Sequence, residues 1–111
     1  MLDESHFHAY ANATLLHIND QLEQAYDSGA LDDLDYDEGA GSLSIITPDD
    51  VTFIVNKHGP SGQLWLASPI AGGLHFDFDP DAQDWLLADG RSLKKVLAEN
   101  LEQSCGLHVV F

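Results

Sequence analysis

Between residues 3 and 27 the apolar side chains Phe7, Ala11, Leu15, Ile18, Leu22 and Ala25 recur three or four positions apart. That is the spacing of a single stripe on an α-helix. At about 100° per residue, Asp20, Glu23 and Asp27 fall on the opposite face, with Leu16 as an apolar residue among them. The run "DSG" at 27–29 ends the pattern, and Gly29 suits a left-handed C-terminal turn. The period then drops to two. In "DLDYDE" (33–38) Asp33, Asp35 and Asp37 alternate with Leu34 and Tyr36, as in a half-buried strand. "SLSIIT" (42–47) and "VTFIVN" (51–56) flank the turn residues "PDD". "QLWLAS" (63–68) and "LHFDF" (74–78) flank "PIAGG", and "DWLLA" (84–88) is a shorter, weaker strand signal. From Ser92, an N-cap residue, to Cys105 the helical period returns with Leu93, Val96, Leu97 and Leu101, and Gly106 stops it. The closing "LHVVF" is apolar enough to pack back on the helices.

Helix, a run of antiparallel strands, then helix implies an α+β two-layer sandwich. Both terminal helices cover one face of a sheet of about six strands, and the other face is left to solvent. The 111 residues form one domain, 1–111, without internal repeats or a low-complexity linker.

Composition changes this picture in one respect. The hydrophobic fraction of 44% is ordinary, but nineteen acidic residues face four basic ones, for a formal charge of −15. Such a surface repels nucleic-acid phosphates and anionic membranes and attracts cations or a basic protein. The single cysteine, Cys105, excludes an internal disulfide and a cysteine-rich zinc or iron–sulfur centre. No apolar stretch approaches the ~20 residues of a membrane span. The N-terminal "MLDESHFHAY" has neither the basic nor the apolar segment of a leader. A cytoplasmic location is the expectation.

The acids are concentrated. Asp32, Asp33, Asp35, Asp37 and Glu38 crowd residues 32–38, and pairing of the first strand at the sheet edge would lay them beside Asp20, Glu23 and Asp27. Carboxylates are hard oxygen donors, suited to Mg, Ca, Mn or iron. Spread along a ridge, they would bind weakly and with little selectivity. The competing reading is a solvated face that guards an edge strand from aggregation. His6 and His8, two apart on a helix, cannot chelate one ion together, but His8 could join Asp3 or Glu4 in an outlying metal site. In "QLWLA", alternation sends Leu64 and Leu66 to the helices and Gln63, Trp65 and Ala67 to the open face, so Trp65 is expected to be exposed as an interface anchor. His75 and Asp77 alternate in the same sense on the next strand. Catalysis has little support: Cys105 lies at a helix C-terminus without a basic neighbour, and no nucleophile elbow, His–Glu-x-x-His pattern or phosphate loop is present.

The segment "NKHGPSGQLWLASPIAGGLHFDF" (56–78) resembles the frataxin family, most sharply at Asn56, at Gln63, Trp65 and Pro69 in "QLWLASP", and at Gly73, His75 and Phe76 in "GGLHFDF". The short length and acidic N-terminal helix resemble its bacterial, CyaY-like members, and the order α, six strands, α is the family's. The resemblance implies a non-catalytic iron-binding protein that modulates the cysteine desulfurase and scaffold protein of iron–sulfur cluster assembly, as iron donor or sensor. It implies weakly bound Fe2+ or Fe3+, replaceable by other divalent cations, on Asp20, Glu23, Asp27, Asp32, Asp33, Asp35 and Asp37. It further implies partner contacts through Asn56, Gln63, Trp65 and His75, and a monomer, with oligomerisation on iron loading as the variant of that expectation. Asn19 and Gln24 depart from it, standing where further acids would be expected. Two rival functions use the same charge: a ferroxidase acting on Fe(II), and an acidic nucleic-acid mimic that blocks a basic protein.

Overall fold

A computed structural model of the chain describes residues 3–111. Helix α1 (Glu4–Asp27) leads into strands β1 (Asp33–Asp37), β2 (Ser42–Ile46), β3 (Thr52–His58), β4 (Gln63–Ser68), β5 (Gly72–Asp79) and β6 (Asp84–Leu86), and helix α2 (Leu93–Cys105) follows. The six strands form one antiparallel sheet in chain order, so each is hydrogen-bonded to its sequence neighbours. This is the α, six strands, α order and the two-layer arrangement expected from the periodicity.

The helix ends have local causes. The Asp3 carboxylate accepts from the His6 backbone N–H (2.8 Å) and caps α1. At the other end Gly29 takes φ 85°, which a side chain would resist. Ser92 Oγ accepts from Lys95 N–H (3.2 Å) at the start of α2. Gly106, at φ 73°, returns its N–H to Glu102 O (2.8 Å) at the stop.

The predicted stripe of α1 is buried at Phe7, Ala11, Leu15, Ile18 and Leu22. It meets Leu43, Ile45, Phe53, Val55, Leu64, Leu66 and Phe76 from alternate positions of four strands, together with Leu93, Val96, Leu97 and Leu101 of α2. Each such Leu, Ile, Val or Phe side chain contributes roughly 1.5–3 kcal/mol on burial. Trp85 is the largest side chain in this core. Its ring meets Phe7 and Phe78 edge-on, and its N–H donates to Thr14 Oγ1 (3.0 Å), so the indole is satisfied inside. The C-terminal Leu107, Val109 and Phe111 pack against this core, as the apolar tail suggested.

Strand ends differ from the sequence expectation by one or two residues everywhere but in β4, and β6 stops at Leu86, two residues short; the two extensions of that size are at β5 and β3. β5 begins at Gly72 rather than Leu74, because the preceding turn is tighter than "PIAGG" implied: Ser68 Oγ accepts from Ile70 N–H (3.2 Å) and Ala71 N–H (3.1 Å) and closes it. That hydroxyl also donates to the buried Asn100 Oδ1 (2.6 Å), tying the turn to α2. β3 runs on to His58, two residues past its predicted end, since Lys57 and His58 still face Leu64 and Gln63 in the β4 register. Gly41 makes this extension possible. It holds φ 66°, its carbonyl accepts from Lys57 N–H (2.8 Å), and a Cβ there would run into the Lys57 side chain.

Candidate functional site

The acids fall into two rows along one edge of the molecule. β1 pairs with β2 and has no strand on its other side. Leu34 and Tyr36 lie opposite Ile45 and Leu43 and turn toward the helices. Alternation therefore sends Asp33, Asp35 and Asp37 to the other face, where all three are exposed. On α1, Asp20, Glu23 and Asp27 are exposed at i, i+3 and i+7, and a groove of about 400 Å³ separates the rows. Glu23, Asp27, Asn19 and Tyr26 line its helix side, and Leu34 and Tyr36 its strand side. The edge pairing is as expected, but the strand's own apolar residues lie between the two rows. Among the described residues no salt bridge engages Asp20, Glu23, Asp27, Asp32, Asp33, Asp35, Asp37 or Glu38. Some oxygens are in use locally: Asn19 donates to Glu23 (3.3 Å), Leu34 N–H to Asp33 (2.9 Å) and Ala40 N–H to Asp37 (3.0 Å). Burial, and secondarily the charge of Glu38, hold the Tyr36 phenol above its ordinary pKa. It therefore stays neutral beside the acids.

Nowhere among the described residues do three His, Cys, Asp or Glu side chains gather in a group able to hold a metal ion. Hard oxygen donors in open rows fit a hard cation held loosely through one or two carboxylates and water. The N-terminal trio is likewise dispersed. Asp3 is occupied as the helix cap and as partner of His6 Nδ1 (2.8 Å), and the two His6 hydrogen bonds, backbone first, hold its carboxyl below the usual range. His8 Nδ1 lies 3.3 Å from Lys57 Nζ, and only its Nε2 faces Glu4, at 3.9 Å. An ion on His8 would thus have the Lys57 ammonium as a close neighbour, which repels it.

The open sheet face carries a stacked column of rings. Trp65 of β4 lies opposite His75 of β5, with ring centroids 4.2 Å apart and planes inclined by 11°. His58 of β3 covers its other face at 3.7 Å and 13°. Trp65 is on the open face, as alternation required, but it is half-buried rather than exposed, because an imidazole lies against each side of the indole. Its N–H donates to Gln63 Oε1 (3.0 Å), and Gln63 Nε2 donates to Asp77 Oδ1 (3.1 Å). His58 Nδ1 pairs with Ser61 Oγ (2.7 Å), and Asn56 donates to Lys57 O (3.2 Å) while lying opposite Trp65. The column presents ring edges on this face, with His58 and Trp65 held by the hydrogen bonds just given and His75 by stacking.

The frataxin-like domain model matches residues 1–107. The chain belongs to the frataxin family. It is 36% identical over 107 residues to mitochondrial frataxin of Arabidopsis thaliana, covering 96% of this chain and 57% of that protein. It is 30% identical over 111 residues to the iron–sulfur cluster assembly protein CyaY of Pseudomonas fluorescens, covering 99% of this chain and 96% of that one. The chain thus spans little more than half of the plant relative and nearly all of the bacterial one. Among solved structures, frataxin from Psychromonas ingrahamii superposes with a TM-score of 0.84 at 20% identity, over 98% of this chain and 97% of that one, which speaks for the fold alone. Trimeric frataxin from the yeast Saccharomyces cerevisiae, complexed with ferrous iron, gives 0.74 at 28% identity, over 88% of this chain and 87% of that one.

Within this frataxin fold the expected partner residues Asn56, Gln63, Trp65 and His75 do come together on one face, in adjacent register positions of β3, β4 and β5. The expected metal residues do not converge; they form two rows and a separate N-terminal group. Sequence reasoning missed His58 as a member of the ring column. Extending the alternation Ile54, Asn56 by one more step would have reached it.

Proposed function

We propose that this frataxin-family chain serves iron–sulfur cluster assembly as a non-catalytic protein. It carries Fe2+ or Fe3+ weakly on Asp20, Glu23 and Asp27 of α1 and Asp32, Asp33, Asp35 and Asp37 at β1. The same acids meet a basic surface of the cysteine desulfurase, while the open face around Asn56, Gln63, Trp65 and His75 docks against the desulfurase–scaffold complex. Iron here is cargo, released to or sensed for the assembly complex. The observation that carries this reading is the pair of carboxylate rows that no cation among the described residues neutralises. Left uncompensated, such rows repel one another in the folded state and gain from any cation that arrives. The yeast relative solved with ferrous iron supports the choice of cation, and the names of the bacterial relatives support the pathway. A ferroxidase would require donors converging on paired metals, and the dispersed rows favour binding over oxidation.

Titration with Fe(II), or with Co(II) as a stable substitute, tests the reading by NMR. Signals around Asp20, Glu23, Asp27, Asp33 and Asp35 should move or broaden first, and salt should weaken the effect, since exposed charges are screened over ~8–10 Å. Perturbation confined to His58, His75 or His108 would overturn it. Dioxygen consumption coupled to Fe(II) loss at many turnovers per chain would replace it with the ferroxidase.

A further inference from the structure

The two edges of the sheet are treated in opposite ways. An edge strand leaves every second N–H and C=O unpaired, and proteins guard such edges with charge, proline, bulges or a covering element. β1 is guarded by Asp33, Asp35 and Asp37. At the other side β6 shields only part of β5. Asp77, Phe78 and Asp79 pair with Leu86, Trp85 and Asp84, whereupon Leu87 turns its N–H to Arg91 O (2.8 Å) and the chain leaves the ladder. Gly72, Gly73, Leu74 and His75 continue alone. They pair with Ser68, Ala67, Leu66 and Trp65 of β4, and no backbone hydrogen bond from outside the sheet reaches them among the described residues. Gly72, Gly73 and His75 are exposed, and the space where a Cβ of either glycine would project is open.

No charge guards this second edge, although the chain carries −15 overall. Across β3 to β5 the open face leading up to it carries no Asp, Glu, Lys or Arg in two successive cross-strand rows, which reach acids only beyond β2, at Asp35 and Asp37. Ile54, Ala67 and Gly73 form one, and Asn56, Trp65 and His75 the other. Acids resume where β6 begins, at Asp77, Asp79, Asp81 and Asp84. The ring column ends at the same edge: Trp65 covers one face of His75, and among the described residues no aromatic ring stacks on the other.

From this juxtaposition we propose that the β5 edge at Gly72–His75 accepts an extended segment of a partner protein as an added strand, with an aromatic side chain stacked on the outer face of His75 and lysine or arginine directed toward Asp77 and Asp84. Main-chain hydrogen bonds supply the attachment, and side chains at alternate positions supply the choice. The two glycines let a second backbone approach without a side chain in the way. A stacked fourth ring extends the existing column by one strand spacing of about 4.8 Å. The acids at the β6 end select a basic segment and set its direction. The inference goes beyond iron carriage and does not depend on it, since neither acid row takes part.

Synthetic capped peptides provide the test: Arg-Val-Tyr-Val-Thr and its reverse sequence, each also made with every second backbone nitrogen methylated, in both phases. Bound to the intact protein, one of the two directions should shift the amide signals of Gly72 to His75 and slow their hydrogen exchange by about tenfold at saturation. Methylation in one phase should abolish binding and in the other leave it, because only one edge of the peptide faces β5. His75→Ala should weaken the tyrosine peptide about tenfold and leave a Val-for-Tyr peptide unchanged. Shifts confined to α1 and β1, indifference to methylation in both phases, or no shift in either direction up to about 1 mM would each overturn the proposal.

Discussion

Replacing Asp33 and Asp35 together by asparagine should stabilise the fold, and the size of the effect follows from the geometry. Along β1 the two carboxylates are about 6.6 Å apart at ~3.3 Å per residue, but an unfolded chain keeps that separation, so their mutual repulsion largely cancels. What folding adds is the α1 row. Glu23 and Asp27 face β1 across one groove, at roughly the 10 Å between packed layers. One pair of charges at that distance repels by about 0.4–0.8 kcal/mol at an effective dielectric of ~40–80 before screening. A Debye length of ~8 Å reduces this to about 0.1–0.2 kcal/mol. Four cross pairs, Asp33 and Asp35 each with Glu23 and Asp27, then sum to roughly 0.5–1 kcal/mol. With an unfolding entropy near 2.1 cal/mol/K per residue, that is a rise in Tm of about 2–4 °C at physiological salt. At ~0.01 M ionic strength the Debye length grows nearly fourfold, to about 30 Å, and the rise should more than double. Asparagine keeps an acceptor for the Leu34 N–H that Asp33 now holds, so no local bond is lost. Differential scanning calorimetry at two salt concentrations, with isothermal titration of Co(II) alongside, reads both halves of the argument. A variant that melts lower, or whose shift is the same at both salts, would show that the acids are structural. Unchanged Co(II) affinity would show that they are not the binding rows.

The remaining predictions concern single positions. Trp65→Ala should keep the fold, because Leu64 and Leu66 carry the buried side of β4, yet weaken binding to the desulfurase–scaffold complex by about 2 kcal/mol, or roughly 30-fold, in a titration. Global unfolding of that variant would refute the docking role. Trp85→Ala should cost about 3–5 kcal/mol in denaturant melts, since its ring fills the core between Phe7 and Phe78; a loss below 1 kcal/mol would contradict that packing. Tyr36 has a raised folded-state pKa, from burial first and Glu38 second. Unfolded chains therefore lose this proton first, and stability should fall as pH climbs past the phenol's ordinary value of 10.0. Tyr36→Phe should remove that part of the alkaline loss in pH-dependent melting, and an unaltered profile would rule Tyr36 out as its source.

The architecture was legible because every element keeps one side in the core. Phe7 to Leu22 on α1, and the alternations in β1, β2 and β4, each state which face is buried before any partner is known. Strand ends were not legible, because they depend on a neighbour. β3 reaches His58 only through its β4 partner and the bare backbone of Gly41, and β5 starts at Gly72 only because Ser68 closes the preceding turn. The candidate surfaces divide in the same way. Alternation within one strand was enough to place Trp65 on the open face and to part the β1 acids from Leu34 and Tyr36, though the sequence expectation lays those acids beside the helix row. The column of His58, Trp65 and His75 needed the register of three strands. The separation of the acids into two rows needed the position of a helix relative to an edge. Both are non-local facts.

Where the chain keeps its cations explains how the acid edge can persist. Lys57 turns to the helix side of the sheet and meets His8. Arg91 is paired with Asp89, whose carboxyl it holds below the ordinary range. Lys94 and Lys95 lie in the first turn of α2, where Ser92 caps the helix. None is placed to neutralise α1 or β1, and any one of them there would relieve the repulsion that folding creates. The stability forgone is about a kilocalorie per mole by the estimate above, small beside a core built from two helices and six strands. In exchange the molecule has one strongly negative end and, across β3 to β5 of the open face, a stretch without Asp, Glu, Lys or Arg in two cross-strand rows, where the ring column and β5 edge lie. In the proposed docking, a basic partner at long range is turned toward the acids, while short-range contact forms over β3 to β5, where few charges need to be desolvated. On that proposal the charge governs approach, and the ring column and open edge govern what stays bound.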